Sequence, residues 1–398
     1  MAPEVAPIEQ SRVVRCIKVI ARILAALFVT FVFLTSVKIL GTGFEMFGEG
    51  AVSGLIETAE NPFVGLFVGV LVTSVLQSSS ATTSMLVALV SAGTIGVRAA
   101  IPVVMGANIG TTVTNTIVAM GHVTRPREFR KAISCSTMHD FFNMLCVAVL
   151  LPIELATHFL EKSAIWLTGV LGRCVVVILK ILGADTASGG GKINLPKSPL
   201  KVMMSPIVKF LETRCAGLPG HWGAVVMAAV GVVVLFVSLY FLTRILKTLL
   251  LGKVETALGG YLDKHGPVGI LIGAGATAAV QSSSVTTSFM VPLAAAGVLK
   301  PRQIYPVVLG ANVGTTITAL LATLVGNAAG LALALTHLLF NLTGILIFYP
   351  IPAMRWPVWL GSRFGKFAAK RRVLALVYVA MAFYGLPLLL MFLGRRFF

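Results

Sequence analysis

The sequence predicts an all-α polytopic membrane protein built from two inverted-topology repeats. Each repeat is expected to hold a re-entrant hairpin at a QSSS motif and a discontinuous helix at a GANxGTT motif. Three observations lead there. Of 398 residues, 57% are hydrophobic and only 12% charged, about half the charge of an ordinary soluble domain. Apolar runs at 19–40, 224–242, 331–351 and 373–393 reach the roughly 20 residues that a helix needs to cross hydrocarbon. The segment 65–116 aligns without a gap on 269–320, identical at 25 of 52 positions. Continuous apolar runs also exclude a β-barrel, whose strands alternate over short segments.

The elements follow in order. Each half opens with a spanning helix, and "LFVTFVFLT" from Leu27 resembles "LFVSLYFLT" from Leu235. Next comes the QSSS element, Gln77 to Ser80 in one half and Gln281 to Ser284 in the other. Residues 61–96 are too long for one span and polar in the middle, so the element reads as a hairpin that enters and leaves on one side. The GANxGTT helix follows, with Pro102 and Pro306 near its entry, and then a helix carrying His139 to Asn143 or His337 to Asn341. This divides the chain into an N-terminal arm (1–18), repeat 1 (19–152), an interfacial helix with an extracytoplasmic linker (153–221), and repeat 2 (222–352). A basic amphipathic segment (353–372) and an extra transmembrane helix (373–398) complete it.

Charge sets the expected orientation. The net charge of +18 comes from Lys and Arg gathered between apolar segments, as the positive-inside rule produces, and not from a basic domain or an aromatic-basic platform for nucleic acid. Arg12, Arg15, Lys18 and Arg22 place the N-terminus in the cytoplasm; the following loop, 41–61, has four Glu and no Lys or Arg and lies outside. Arg125, Arg127, Arg130 and Lys131 return the chain inside, and the second half runs the opposite way, starting from outside and reaching Arg244, Lys247 and Lys253. Two features resist this scheme. Eight Lys and Arg fall between 152 and 221, in a loop placed outside, and the last helix leaves Arg395 and Arg396 outside. Long loops translocate largely regardless of charge. Five cysteines form no CxxC and no metal spacing; a bridge from Cys174 to Cys215 is conceivable across the linker, with free thiols the preferred reading.

The polar clusters suggest chemistry. Inside a bilayer, irregular backbone survives only where it is buried or lines a cavity. A hairpin tip at Gln77, Ser78, Ser79 and Ser80, matched by Gln281, Ser282, Ser283 and Ser284, offers amides, hydroxyls and freed helix-start N–H groups. The glycines around Asn108 and Asn312 are expected to permit unwinding, and the threonine pairs Thr111 with Thr112 and Thr315 with Thr316 to cap the restarted helix. Neither cluster holds Lys or Arg, so an anion there needs co-bound cations to offset its desolvation. The residues therefore favour coupled entry of an oxyanion with cations such as Na+, without naming the oxyanion. Asp140 is a rare acid within an apolar segment and a functional candidate, though a structural pair with His139 or Ser136 competes. His139 and His337 lack metal-ligand companions and read as structural; Ser and Thr in such helices also serve packing alone. No Ser/His/Asp signature, HExxH or P-loop is present, against an enzyme or an ATP-driven pump. An anion channel built on re-entrant hairpins remains the alternative class.

Taken with "RAAIPVVMGANIGTTVTNTIVA", "HDFFN", "LLPIELATHFLE", "GANVGTT" and "FNLTGILIFYPIP", the two QSSS copies make the chain similar to the type II sodium-dependent phosphate cotransporters, from about residue 19 to 379. The resemblance implies sodium-driven uptake of inorganic phosphate by alternating access, with Na+ as co-transported ion and no cofactor. It implies that the two QSSS motifs, with Asn108, Thr111, Thr112, Asn312, Thr315 and Thr316, line the phosphate and sodium sites. Asp140, with Asn143 and Ser136, would serve an additional sodium. It also implies a multi-pass cell-membrane protein; the compact loop between the repeats, where animal members carry a large one, suggests a bacterial inner-membrane type, and a homodimer is one open arrangement. Where the family's electrogenic members show Ala-x-Ala-x-x-x-Asp, this chain has Ser134, Ser136 and Asp140. At their Gln-x-x-Asp it has His122 and Arg125, which leaves the sodium count open. A sodium-coupled carrier of another oxyanion is the nearer alternative.

Overall fold

A computed structural model describes residues 12–47, 61–181, 199–261 and 266–397. The N-terminal arm before Arg12, most of the acidic loop and most of the linker lie outside the described residues. The described residues form helices joined by short turns, with no strand among them, and seven helical stretches among them are long and apolar enough to cross a membrane: Ile17–Glu45, Val97–Met120, Pro126–Thr157, Trp222–Leu246, Pro301–Thr323, Ala328–Phe348 and Val373–Leu393. Four shorter apolar helices accompany them. The chain is an all-α polytopic membrane protein.

In order, the helices are α1 (Arg12–Glu45), α2 (Pro62–Leu76), α3 (Ser79–Ser91), α4 (Val97–Gly110), α5 (Val113–Met120), α6 (Pro126–Thr157), α7 (Phe159–Ile181), α8 (Pro199–Ala216) and α9 (Trp222–Tyr261). There follow α10 (Gly266–Val280), α11 (Ser283–Ala296), α12 (Pro301–Thr323), α13 (Ala328–Phe348), α14 (Trp356–Lys370), α15 (Val373–Ala380) and α16 (Leu386–Phe397). A π-helical turn, Met381–Gly385, joins the last two.

The QSSS elements do fold back. Thr73 Oγ1 donates to Thr82 Oγ1 at 3.0 Å, and Thr277 Oγ1 to Thr286 Oγ1 at 3.0 Å. Nine residues of straight helix would separate such pairs by about 13 Å, so each contact requires a reversal between them. The reversal sits at Gln77 (φ 52°) and Gln281 (φ 57°), both left-handed. A non-glycine residue held there costs of order 1 kcal/mol, a strain that tends to gather at functional sites.

The second arm of each hairpin docks on the other half. Helix α3 packs on α12 and α13, and α11 packs on α5 and α6, the corresponding pair. The segments flanking the repeats are reciprocal too: α7 lies on α13, and α14 on α6. Helix α7 follows α6 directly. Its start is fixed by Glu154, whose carboxylate accepts the backbone N–H groups of Leu160 (2.6 Å) and Glu161 (3.2 Å). Cys135, Cys146, Cys174 and Cys215 are free thiols.

One expectation about GANxGTT fails. Helix α12 runs unbroken through its copy. In the first copy only one turn is disturbed, with Thr111 and Thr112 still in right-handed helical conformation. The glycines do different work. A Cβ on Gly106 would strike the Leu66 carbonyl oxygen, and one on Gly110 would lie 2.5 Å from that of Val70. Gly310 and Gly314 meet the carbonyls of Ile270 and Ala274 in the same way. Spaced by four residues, they form small-residue stripes that bring α4 against α2 and α12 against α10. Close packing, not unwinding, is what these glycines supply.

Candidate functional site

At each hairpin tip, a serine caps the second arm: Ser78 Oγ accepts from Ala81 N (3.2 Å) and Ser282 Oγ from Val285 N (3.3 Å). The first-turn N–H groups of α3 and α11 have no helical acceptor, as in any helix start. The hydroxyls of Ser79, Ser80, Ser283 and Ser284 make no hydrogen bond among the described residues, although Ser79, Ser80 and Ser283 are at most 5% exposed. Two concentrations of donors are therefore held ready within a stretch free of charged side chains.

The two glutamines are not equivalent. Gln281 is buried; its Nε2 donates to the Ala278 carbonyl (2.6 Å) and its Oε1 accepts from Thr318 (2.7 Å). Gln77 is exposed, and the Thr114 hydroxyl, which aligns with Thr318, is buried without a partner among the described residues. The threonine pairs do not cap a restarted helix as expected. Thr111 and Thr315 donate to carbonyls four residues back, Thr112 and Thr316 to carbonyls three back. Threonine back-bonding of this kind satisfies the hydroxyl proton inside its own helix and leaves the oxygen lone pairs to accept.

Between the tips runs a polar chain that ties the halves together. Asn143 Nδ2 donates to the Asn108 backbone carbonyl (2.7 Å), which can only accept. Its Oδ1 therefore faces Asn312 Nδ2 (2.7 Å), and Asn312 Oδ1 faces His139 Nε2 (2.7 Å), making Nε2 the protonated nitrogen. His139 Nδ1 then accepts from Asn115 Nδ2 (3.3 Å), whose Oδ1 accepts from Thr287 (2.9 Å) and Ser288 (3.1 Å). Every donor points the same way along the chain. His337 pairs with Asn108 Oδ1 (3.2 Å), the mirror of His139 with Asn312. Both histidines read as structural in the sequence, and both bridge the repeats. Asn115 was passed over; its repeat mate is Ala319, so the internal alignment hid it.

The trio expected around an additional sodium is split. Asp140, fully buried, accepts from Tyr378 (2.9 Å), the Thr112 hydroxyl lies beside its carboxylate, and its Oδ1 has no hydrogen bond among the described residues. Asn143 belongs to the inter-repeat chain. Ser136 donates to the Ile133 carbonyl (3.2 Å) and accepts from Thr116 (3.4 Å). Asp140 thus pairs with neither His139 nor Ser136. The last helix is no bystander: besides Tyr378, Tyr384 donates to the Ser74 carbonyl (3.1 Å) three residues before Gln77. His122 and Arg125 both pair with Glu128, at 3.1 Å each.

Known proteins resemble this chain over most of its length. The sodium-dependent phosphate transport protein 2B of Pongo abelii is 35% identical over 93% of this chain and 65% of its own length. The 2B protein of Homo sapiens is 34% identical over 93% of this chain and 64% of its own length. The 2A protein of Rattus norvegicus is 34% identical, over 90% and 65% respectively. The chain thus spans less than two thirds of the length of each. No solved structure matches it significantly. The profile described as Na+/Pi-cotransporter matches residues 32–165 and 234–390, which take in both hairpins, both GANxGTT helices and the inter-repeat chain: this protein belongs to the Na+/Pi-cotransporter family.

Proposed function

We propose that the chain is a secondary transporter that carries inorganic phosphate, as HPO4 2−, into the cell together with Na+ by alternating access. The observation that carries this reading is the pair of helix starts at Ser79 and Ser283, whose hydroxyls are uncommitted within a stretch lacking Lys and Arg. Backbone N–H groups and hydroxyls there suit an oxyanion. The missing countercharge suits cations that enter with it, since a bare dianion in the membrane would be prohibitively costly. The names of the relatives support phosphate and sodium as that pair.

In this reading, Gln77, Ser78, Ser79, Ser80, Asn108, Thr111 and Thr112 from one half hold phosphate and sodium. Gln281, Ser282, Ser283, Ser284, Asn312, Thr315 and Thr316 act from the other. Asp140 binds or tunes a further sodium, approached through its unpartnered oxygen. The repeats lie inverted in a cell membrane, with the N-terminus and the basic α14 on the cytoplasmic side. Alternating access would use the difference between the glutamines, one engaged by its threonine and one released.

The test is phosphate uptake into proteoliposomes of the purified protein, with and without an inward sodium gradient, at clamped potential. Accumulation above equilibrium only with sodium is expected. Flux that never exceeds equilibrium would favour the channel reading. Gln281→Ala and Ser79→Ala should each insert normally yet lose most uptake, and normal uptake by both would sink the site assignment.

A further inference from the structure

A second cavity, of about 760 Å³, opens where the start of α12 meets the start of α14. Arg302, Tyr305, Arg355, Trp356, Trp359 and Ser362 are among the residues that line it, and no lining residue is acidic. Three observations point to an anion. Arg302 aligns in the repeat with Arg98, and Arg98 is neutralised by Glu161 of α7 at 2.9 Å. Helix α14 is the counterpart of α7, but in the register that pairs His139 with His337 it has Trp359 where α7 has Glu161, and neither Arg302 nor Arg355 has a carboxylate partner among the described residues. Arg355 is held in place: its Nε donates to the Tyr349 carbonyl (2.9 Å), and its guanidinium lies 4.7 Å from the Tyr349 ring centroid. Its terminal N–H groups stay available for the bidentate contact that guanidinium makes with phosphate. Third, Tyr305 is 1% exposed, and its hydroxyl has no partner among the described residues, an unfavourable state for a buried polar group unless something fills it.

The setting says which phosphate. Trp356 and Trp359 are half exposed, as tryptophans are at a membrane interface. Arg363 lies over Trp359, 4.2 Å from its ring centroid, and Lys366, Lys370, Arg371 and Arg372 follow along the chain. Such a basic stretch concentrates anionic lipid. We propose that this cavity binds the phosphate headgroup of an anionic phospholipid, whose chains leave past the two tryptophans. The bound lipid would join α12, which carries Asn312 and Thr318, to α14, which packs on α6 through Gly361 and Gly365.

The test is native mass spectrometry and thermal unfolding of the full chain in detergent with phosphatidylglycerol, phosphatidylcholine or inorganic phosphate added. Phosphatidylglycerol should bind and raise the unfolding temperature through Arg302 and Arg355, phosphatidylcholine should not, and any protection by inorganic phosphate should survive replacement of both arginines. Arg302→Gln with Arg355→Gln should weaken phosphatidylglycerol binding by at least about tenfold, from the loss of charged hydrogen bonds. Lys209→Gln, on α8 and outside the lining of this cavity, should leave it near wild type. Tyr305→Phe should be as stable as wild type without lipid, because it removes an unpartnered hydroxyl, and should bind the lipid less tightly. Undiminished lipid binding in both the double variant and Tyr305→Phe would overturn the proposal. Equal protection by inorganic phosphate through the same arginines would also overturn it, in favour of a soluble-anion site. None of this depends on phosphate being the transported ion.

Discussion

Replacing Asn312 by Ala removes the centre of the inter-repeat chain. Two bonds of 2.7 Å are lost, and both orphaned groups, His139 Nε2–H and Asn143 Oδ1, belong to side chains that are 0% exposed. An unsatisfied buried polar group costs about 1–3 kcal/mol, which gives roughly 2–6 kcal/mol for the pair. Within membranes, measured couplings between hydrogen-bonding side chains average only about 0.6 kcal/mol, with a maximum near 1.7, because unfolded helices find other partners there. His139 and Asn312 have short, mutually oriented bonds, so their coupling is expected near the upper end, about 1–1.5 kcal/mol. The assay is a double-mutant cycle of His139→Ala and Asn312→Ala, read by reversible unfolding in mixed micelles. Asn341→Ala is the internal control: its bond to the Asn312 carbonyl is longer, 3.3 Å, and its Oδ1 is already unpartnered. It should cost clearly less than Asn312→Ala. A coupling below about 0.3 kcal/mol, or equal losses for Asn312→Ala and Asn341→Ala, would refute the reasoning that this chain holds the repeats together.

Three further outcomes are expected. Gly310→Ala puts a Cβ against the Ile270 carbonyl and should lose about 1–3 kcal/mol through overpacking. Gly275→Ala, in the neighbouring helix with open space at its Cβ, should be neutral or slightly stabilising; thermal unfolding in detergent compares them. Thr318→Val breaks the bond to Gln281 and should cost about 1 kcal/mol, whereas Thr114→Val removes an unpartnered hydroxyl and should cost nothing; equal losses would deny the asymmetry of the two hairpins. Tyr378→Phe strips Asp140 of the hydroxyl that donates to it from the last helix and should raise the sodium concentration needed for half-maximal phosphate uptake. An unchanged sodium dependence would detach Asp140 from coupling.

The hairpins were legible because two signals agreed, an apolar segment too long for one span and a polar cluster at its middle. The glycine stripes were visible too, but their role was misread: spacing by four residues is compatible with unwinding or with close packing, and only the facing carbonyls of Leu66 and Ile270 decide between them. His139 and His337 stood out by repetition, yet a search for metal ligands could not find amide partners more than 170 residues away. Asn115 carried no repeat signal, because Ala319 takes its place in the other half.

Membrane residence, the helical class, the duplication and the placement of polar clusters at two matching points were determined by the sequence alone. Each depends on composition or periodicity along a few dozen residues, and the hydrophobic effect reads those locally. The tertiary structure alone decided which polar groups are spent and which stay free. Gln77 and Gln281 sit in identical QSSS motifs, but one meets Thr318 and the other is exposed. Arg98 and Arg302 occupy equivalent positions, but only one faces a carboxylate. A hydrogen bond or an ion pair needs its partner within about 3–4 Å, and which groups come that close is settled by how the two halves dock.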